Sequence, residues 1–357
     1  MKNGRILICG AGIAGPTLAY WLRHYGFEPT LIERSPALRT GGYIIDFWGR
    51  GFEVAEKMGL APGLRRDGYA IDEVRIVNDC GQRSGGFRVR ALQPTLGSYV
   101  SILRSDLSKL IYQSLDGAVR TIFGDTIRTI QQDEGGVRVS FEHAPAERFD
   151  LLIGAGGLHS PVRGLVFGPQ GRYEKHLGYY AASFSAAGYP HQDERAYVSY
   201  AAPGRQVSRY SLRGDRTAFF FVFASDTKLQ VSPHDLGTQK RVLRERFERD
   251  GWECPEILAA LESCSDLYFD AVSQIRMERW SERRVALVGD ACFCPSLLAG
   301  QGSALAMTAA YILAGELGTC GGDYSVAFAN YENILHPFIA RKQRAAARFA
   351  GAFAPKS

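Results

Sequence analysis

The sequence has no apolar stretch long enough to span a bilayer. Its longest helical apolar run, near Ala304 to Leu317, falls short of the ~20 residues that a crossing needs. Nor does a basic start with a long apolar run precede the first strand, which begins within a few residues of Met1. A strong excess of charge of one sign is also missing. The net charge of +5 is spread along the chain, which makes an obligate nucleic-acid partner unnecessary. Cysteines number only seven, an odd count that fits reduced thiols better than a disulfide framework. No His or Cys cluster has metal-ligand spacing, so no metal is expected, and none of the seven histidines has a supporting constellation. What remains is a cytoplasmic protein without stable membrane insertion, a monomer or homodimer. At 357 residues it exceeds the ~100–200 of one domain, so two lobes are the default.

What is present begins at Arg5-Ile-Leu-Ile-Cys-Gly-Ala-Gly-Ile-Ala-Gly15. A short apolar run reads as a buried parallel strand, and it feeds through Gly10-x-Gly12-x-x-Gly15 into an apolar-periodic helix. Gly10 permits the tight turn, Gly12 lets the backbone approach a pyrophosphate, and Gly15 lets the helix pack close to the sheet, with Ala14 beside it. The anion then sits at a helix start whose first N–H groups lack internal partners. A second strand, Pro29 to Glu33, ends in an acid 18 residues after Gly15, placed to accept from a ribose 2′-OH. An acid there disfavours a 2′-phosphate, so FAD or NAD fits better than NADP.

Further along, the loop Arg34 to Asp46 carries Gly41-Gly42, which lets backbone approach a flat ligand; a surface loop with one solvated acid is the alternative. A helix is expected from Gly51 to Met58. Arg104 stands where a strand gives way to a helix, with Ser105 as candidate N-cap, either at a ligand edge or as a surface ion-pair former. Gly154 to Arg163 is a second strand-to-helix turn, with Ser160 as cap and Pro161 first in the helix, unless it merely closes the fold. Residues 174 to 225 are dominated by strand-like runs, so an antiparallel sheet forms a separate lobe. In it Phe219-Phe-Phe-Val-Phe223 places alternate rings on opposite faces, as core or as a platform for an aromatic ligand.

Arg284-Val-Ala-Leu-Val-Gly289-Asp290 is a third buried strand ending in a polar turn, and Gly300-Gln301-Gly302 opens the helix Ser303 to Leu317. Asp290 there suits a polyol chain, or a helix cap, and the helix start suits developing negative charge. Cys292 and Cys294 read as packing or as a redox pair. Arg341 to Arg348 reads as a solvated helix face or a docking surface.

Three motifs in this order and spacing resemble the class A flavoprotein monooxygenases, the para-hydroxybenzoate hydroxylase family, and within it the tetracycline-inactivating enzymes. The likeness covers nearly the whole chain. It implies an α/β (α+β) fold: a Rossmann-like FAD domain (1–72, 97–173, 270–325), an inserted antiparallel-sheet substrate domain (73–96, 174–269) and a C-terminal helix (326–357). It implies FAD on Gly10, Gly12, Ala14, Gly15 and Glu33, with Arg34, Gly42, Asp46 and Arg104 lining the cleft. Asp290 would take the ribityl chain, and Gly300, Gln301 and Gly302 the pyrimidine edge. Family members reduce the flavin with NADH or NADPH, trap O2 as a C4a-hydroperoxide and hydroxylate an aromatic or polycyclic small molecule.

The chain departs from that pattern in places. Gly156 stands where the family has an acid, Cys292-Phe293 replaces Ala-His, Leu297 replaces a proline and Ala304 an asparagine. Substrate contacts are expected from Tyr210, Arg213 and Phe221 on the sheet and from Pro295 and Leu297 beside the flavin; no general base is assigned. Two alternatives stay open: a flavin oxidoreductase of this fold without oxygen transfer, and a non-catalytic flavin-bound sensor, supported only by Gly156.

Overall fold

The computed structural model describes residues 2–91, 97–190 and 193–353. Residues 92–96 of the expected second lobe and 354–357 of the expected C-terminal helix lie outside the described residues.

In chain order the first strands are β1 (Arg5–Cys9), β2 (Glu28–Glu33), β3 (Ile44–Trp48), β4 (Glu73–Val77), β5 (Arg83–Arg88), β6 (Tyr99–Leu103), β7 (Arg120–Phe123), β8 (Ile127–Asp133) and β9 (Gly136–Phe141). They are followed by β10 (Glu147–Phe149), β11 (Leu151–Gly154), β12 (Glu174–Ala187), β13 (Ala196–Ala202), β14 (Arg205–Leu212), β15 (Arg216–Ala224), β16 (Tyr268–Ile275), β17 (Ser281–Glu282) and β18 (Val285–Leu287). The first sheet has the order β17-β18-β11-β1-β2-β7 and is parallel apart from β17. Apolar runs such as Ile6 to Ile8 and Leu151 to Ile153 are fully buried in it, as a strand covered on both faces requires. Because β2 lies on one side of β1 and β11 on the other, the connections diverge at the end of β1. That point opens a crevice for ligands.

The second sheet, β16-β12-β15-β14-β13-β4-β5, is antiparallel except between β13 and β4. The residue-270 boundary read from the sequence falls inside β16, whose pairing with β12 carries the sheet on to Ile275. Smaller sheets join β3 to β6 and β8 to β9 and β10.

The helices are α1 (Ala14–His24), α2 (Arg50–Lys57), α3 (Ala61–Asp67), α4 (Arg104–Gln113), α5 (Pro161–Val166), α6 (Leu236–Phe247), α7 (Cys254–Glu262), α8 (Asp290–Phe293), α9 (Gly302–Thr319) and α10 (Tyr324–Phe353). Helix α5 starts as expected: Ser160 Oγ accepts from the Arg163 N–H at 3.2 Å, with Pro161 in the first position. Helix α4 does not. It begins at Arg104 after Leu103, so Ser105 lies within the first turn and caps nothing. Among the described residues no helix is long and apolar enough to cross a membrane.

Alternation along β15 sorts the rings. Phe219, Phe221 and Phe223 join a core with Phe184, Leu243 and Phe247 under α6 and α7. Phe220 and Val222 face the other way, toward Tyr179, Leu297 and Leu298.

Candidate functional site

Three strand ends meet at the divergence point. Gly10, with φ +119°, lies so close to the second turn that a Cβ on it would stand 2.5 Å from the Ala155 carbonyl oxygen. One on Gly15 would stand 1.9 Å from the Gly10 oxygen, which leaves glycine as the only residue that lets α1 sit this near the sheet. The third turn closes the group. A Cβ on Gly289 would be 3.2 Å from Ala14 Cβ and 3.4 Å from Ala306 Cβ, so this turn is wedged between α1 and α9.

Around this junction stand the polar groups singled out in the sequence. Glu33, at the end of β2, accepts from the Ala11 N–H at 2.9 Å and from the Ser35 N–H at 2.9 Å. Arg104 reaches the first glycine turn: its Nη2 lies 3.8 Å from the position of a Cβ on Gly12. Ser108, one turn further along α4, ties down the same loop by donating to the Gly12 oxygen at 3.0 Å. Asp290 opens α8 after Gly289, with its carboxylate oxygens 3.7 and 3.9 Å from a Cβ position on Gly302. Gly12, Asp290 and Gly302 are therefore gathered about one crevice.

Asp290 is the informative member. Its Oδ1 is enclosed and has no hydrogen-bond partner. Burial pushes its carboxyl above the usual carboxylate range, against the opposing pull of Arg104 and of the Cys294 thiol. An enclosed acceptor without a donor is costly, and a hydroxyl-bearing ligand would relieve that cost. Opposite it, α9 starts at Gly302 with no side-chain cap, after Gly300 in the left-handed conformation, so its first N–H groups are open to an acceptor. A nucleotide with a polyol chain fits this donor and acceptor set. The remaining candidates lie at the edges: Arg34 is exposed, Gly42 borders Tyr43, and Asp46 accepts from Tyr99 Oη at 2.7 Å and Ser101 Oγ at 2.8 Å.

One face of the seven-stranded sheet roofs the crevice. Tyr43 reaches up from the Gly41-Gly42 loop to within 5.8 Å of the Phe220 ring and 5.3 Å of the Tyr268 ring. Burial pushes its hydroxyl up to about 12, although Arg104 pulls the other way. Leu297 and Leu298 reach the same patch from the loop before Gly300.

Of the expected substrate contacts, Leu297 alone packs in that patch. Phe221 is corrected: it lies on the opposite face, edge-on to Phe247 at 5.0 Å, because alternation turns it away from the crevice. Arg213 is exposed and donates to the carbonyls of Arg66, Asp67 and Gly68 while lying over the Tyr69 ring at 4.4 Å, so it ties the sheet to α3 instead of facing the crevice. Tyr210 is on the roof side, but its hydroxyl accepts from the Ile44 N–H at 2.8 Å and is sealed at 2% exposure. Pro295 is buried, its carbonyl accepting from Gln274 Nε2 at 2.9 Å.

The cysteines beside Asp290 are packed. Burial drives both thiols well above their usual range, and Cys292 Sγ donates to the Gly289 oxygen at 3.4 Å.

The structure adds residues that the sequence did not single out. His159 has a constellation after all: Nε2 lies 2.9 Å from Asp270 Oδ2 and Nδ1 lies 3.2 Å from Gln170 Oε1. Gln170 is oriented by donating to Glu174 Oε2 and accepting from Arg163 Nη2, so both imidazole nitrogens face acceptors. The Asp270 hydrogen bond accordingly raises the His159 pKa. No sequence signal pairs residues 111 apart. Arg163, 1% exposed, joins the second and third turns by donating from Nη1 to the Ala291 oxygen at 2.9 Å. Only its place in a strand-to-helix turn hints at this.

Comparison with known proteins agrees with this geometry. Residues 4–324 match the family model described as an FAD binding domain. An uncharacterized protein of Mycobacterium tuberculosis is 41% identical over 342 residues, 95% of this chain and 91% of that one. A flavin-dependent monooxygenase of Legionella longbeachae is 36% identical over 354 residues, 96% of this chain and 88% of its own. Among solved structures, the tetracycline destructase Tet(55) superposes with a TM-score of 0.89 at 34% identity, covering 99% of this chain and 91% of its own. Klebsiella pneumoniae HpxO, solved with FAD and uric acid, superposes with a TM-score of 0.80 at 23% identity over 100% and 90%, a likeness of fold. The chain thus belongs to the FAD-dependent monooxygenases, in the branch that includes the tetracycline destructases.

Proposed function

We propose that this enzyme hydroxylates an apolar aromatic or polycyclic small molecule, using NADH or NADPH and O2. The observation that carries the proposal is the enclosed, unpartnered Asp290 Oδ1, whose carboxylate is near enough to act on the Tyr43 hydroxyl, while Tyr43 itself meets the Phe220 and Tyr268 rings. A polar seat and an aromatic roof share one crevice.

In this reading Gly10, Gly12, Ala14 and Gly15 seat the pyrophosphate and Glu33 holds the adenosine ribose. Arg34, Gly42, Asp46 and Arg104 line the cleft, Asp290 accepts from a ribityl hydroxyl, and Gly300, Gln301 and Gly302 turn N–H groups toward the pyrimidine edge. Bound FAD would supply the redox chemistry, by which electrons from the nicotinamide reduce O2 so that one of its oxygen atoms enters the substrate and the other leaves as water. The protein offsets negative charge at the start of α9, orients the substrate against Phe220 and Tyr268, and excludes water with the Leu297 and Leu298 side chains. The likeness to Tet(55) supports a fused-ring substrate.

The test is anaerobic reduction of the FAD-loaded protein by NADH or NADPH across a panel of aromatic and polycyclic compounds, followed by turnover under ¹⁸O₂. Compounds that speed reduction and leave carrying one ¹⁸O atom support the proposal. Reduction and turnover without label would instead favour an oxidoreductase that never transfers oxygen. Gly156 bears on a different reading, a non-catalytic flavin-bound sensor, for which NADH and NADPH would leave the flavin oxidised even with the compounds present.

A further inference from the structure

The segment from Phe293, the last residue of α8, to Ser296 joins Asp290 to the Gly300–Gly302 turn; main-chain donors reach its Cys294 oxygen from Ile275 of β16 and its Ser296 oxygen from Ala299, each at 3.2 Å. Two glutamines add side-chain donors. Gln343, 8% exposed on the C-terminal helix α10, directs Nε2 at the Phe293 and Cys294 oxygens, both at 3.2 Å, and at the Ile275 oxygen at 2.6 Å. Gln274, fully buried on β16, donates from Nε2 to the Pro295 oxygen at 2.9 Å and to the Gln343 main-chain oxygen at 2.8 Å. Gln274 thus holds the α10 main chain at Gln343 while Gln343 reaches back to β16 at Ile275, and between them the two amides reach three successive carbonyls.

Immediately after this clamp the backbone is strained. Ser296 has φ +111° and ψ +142°, a region that side chains rarely enter and that persists only when its surroundings over-determine it. The strain turns the chain so that Leu297 and Leu298 meet the roof while the next residues run on to Gly300. A buried glutamine on a stripe shared with Leu335, Ile339 and Ala346 is an expensive choice for packing alone, where a leucine would serve.

We propose that Gln343 is a positioning residue for the monooxygenase reaction: together with Gln274 it holds the 293–296 segment in the strained form that aims Leu297 and the Gly300–Gly302 turn at the flavin. The proposal rests on the flavin seat described above. It makes the C-terminal helix a distant brace for the flavin edge, although none of its side chains need touch the cofactor.

The experiment compares wild-type protein, Gln343→Met, Gln343→Asn and the exposed control Arg344→Ala, each loaded with FAD and held well below its melting temperature. Three quantities are read: the FAD dissociation constant, the visible flavin spectrum and the reduction potential. Gln343→Met keeps the length but has no donor, and is expected to weaken FAD about ten-fold and to shift the spectrum and potential. Gln343→Asn keeps the amide one methylene short and should fall between, with the control unchanged. If Gln343→Met does not fold, the comparison of Gln343→Asn with the control decides alone. A fall in melting temperature with affinity, spectrum and potential all as in the wild type would overturn the proposal and leave Gln343 a packing residue. Failure of the wild-type protein itself to take up FAD would sink the flavin seat, a different result from either.

Discussion

The two faces of the seven-stranded sheet are built from one alternating sequence and end in different chemistry. The face under α6 and α7 carries Phe184, Phe219, Phe221 and Phe223, closed by Phe247 and Leu243, and all six are at most 2% exposed. The face over the crevice carries Phe220 and Tyr268, which stay partly buried and meet Tyr43 and Leu297 across a lobe boundary. Both are aromatic, yet only the first is sealed within its own lobe. An aromatic run on a strand therefore marks two faces at once, and the neighbour that covers each face decides which one serves as core.

The largest effect that could break this contrast lies on the sealed face. Phe221→Ala should cost about 3–5 kcal/mol in urea unfolding, the cost of a large core cavity, while FAD affinity measured in native conditions stays near wild type. A change in FAD affinity or substrate response without loss of stability would mean that this face is not simply core.

Across the crevice, Asp290→Asn should weaken FAD about ten-fold or more by titration. It should also stabilise the FAD-free protein. Burial raises the Asp290 pKa above its ordinary 3.8, so the folded state holds that proton more tightly than the unfolded state does. Stability is thus lost as pH rises from the unfolded value through the folded one, and asparagine removes that loss. Urea midpoints of the FAD-free proteins at pH 4 and pH 7 should show the gap between variant and wild type widening toward pH 7.

On the open face, Phe220→Ala should cost only about 1 kcal/mol, since the ring is already partly exposed. Its effect should appear in the concentration of an accelerating compound that half-saturates flavin reduction by NAD(P)H. Equal effects on that concentration from Phe220→Ala and Phe221→Ala would erase the contrast between faces.

The smallest effect concerns Asp270, where the open face meets the second strand turn through His159. The Asp270 hydrogen bond raises the His159 pKa above 6.5, so the bridge stabilises fully below the unfolded value and fades as pH rises through the folded one. Because the His159 side chain is 53% exposed, the contribution should stay below about 1 kcal/mol. Melting temperatures of wild type and His159→Asn should therefore differ most near pH 6 and converge above pH 8. A gap that grows toward high pH would contradict the bridge.

The junction of the three turns was legible before the fold because local rules write it into short segments. A buried strand, a glycine turn and a helix start specify an anion site within a dozen residues, and each of the three turns carries its own copy of that logic at Gly10, Gly154 and Gly289. The substrate side was less legible. Phe221 and Phe220 are neighbours of equal hydrophobicity, and nothing local says that α6 and α7 cover the first and leave the second to Tyr43. Gln343 shows the same limit: within a basic stretch it reads as solvated, and Arg341, Arg344 and Arg348 are indeed exposed, but its own position falls on the buried stripe of α10.

What the sequence by itself determined, then, is the cofactor class and the order of strand, turn and helix, because steric and hydrogen-bonding demands of that kind act between residues close along the chain. Tertiary structure alone decided which aromatic face overlooks the crevice, that His159 meets Asp270, and that Gln343 holds the loop beyond Asp290. Each of these joins groups far apart in sequence, and their contact depends on how two sheets and a terminal helix pack, which no local pattern encodes.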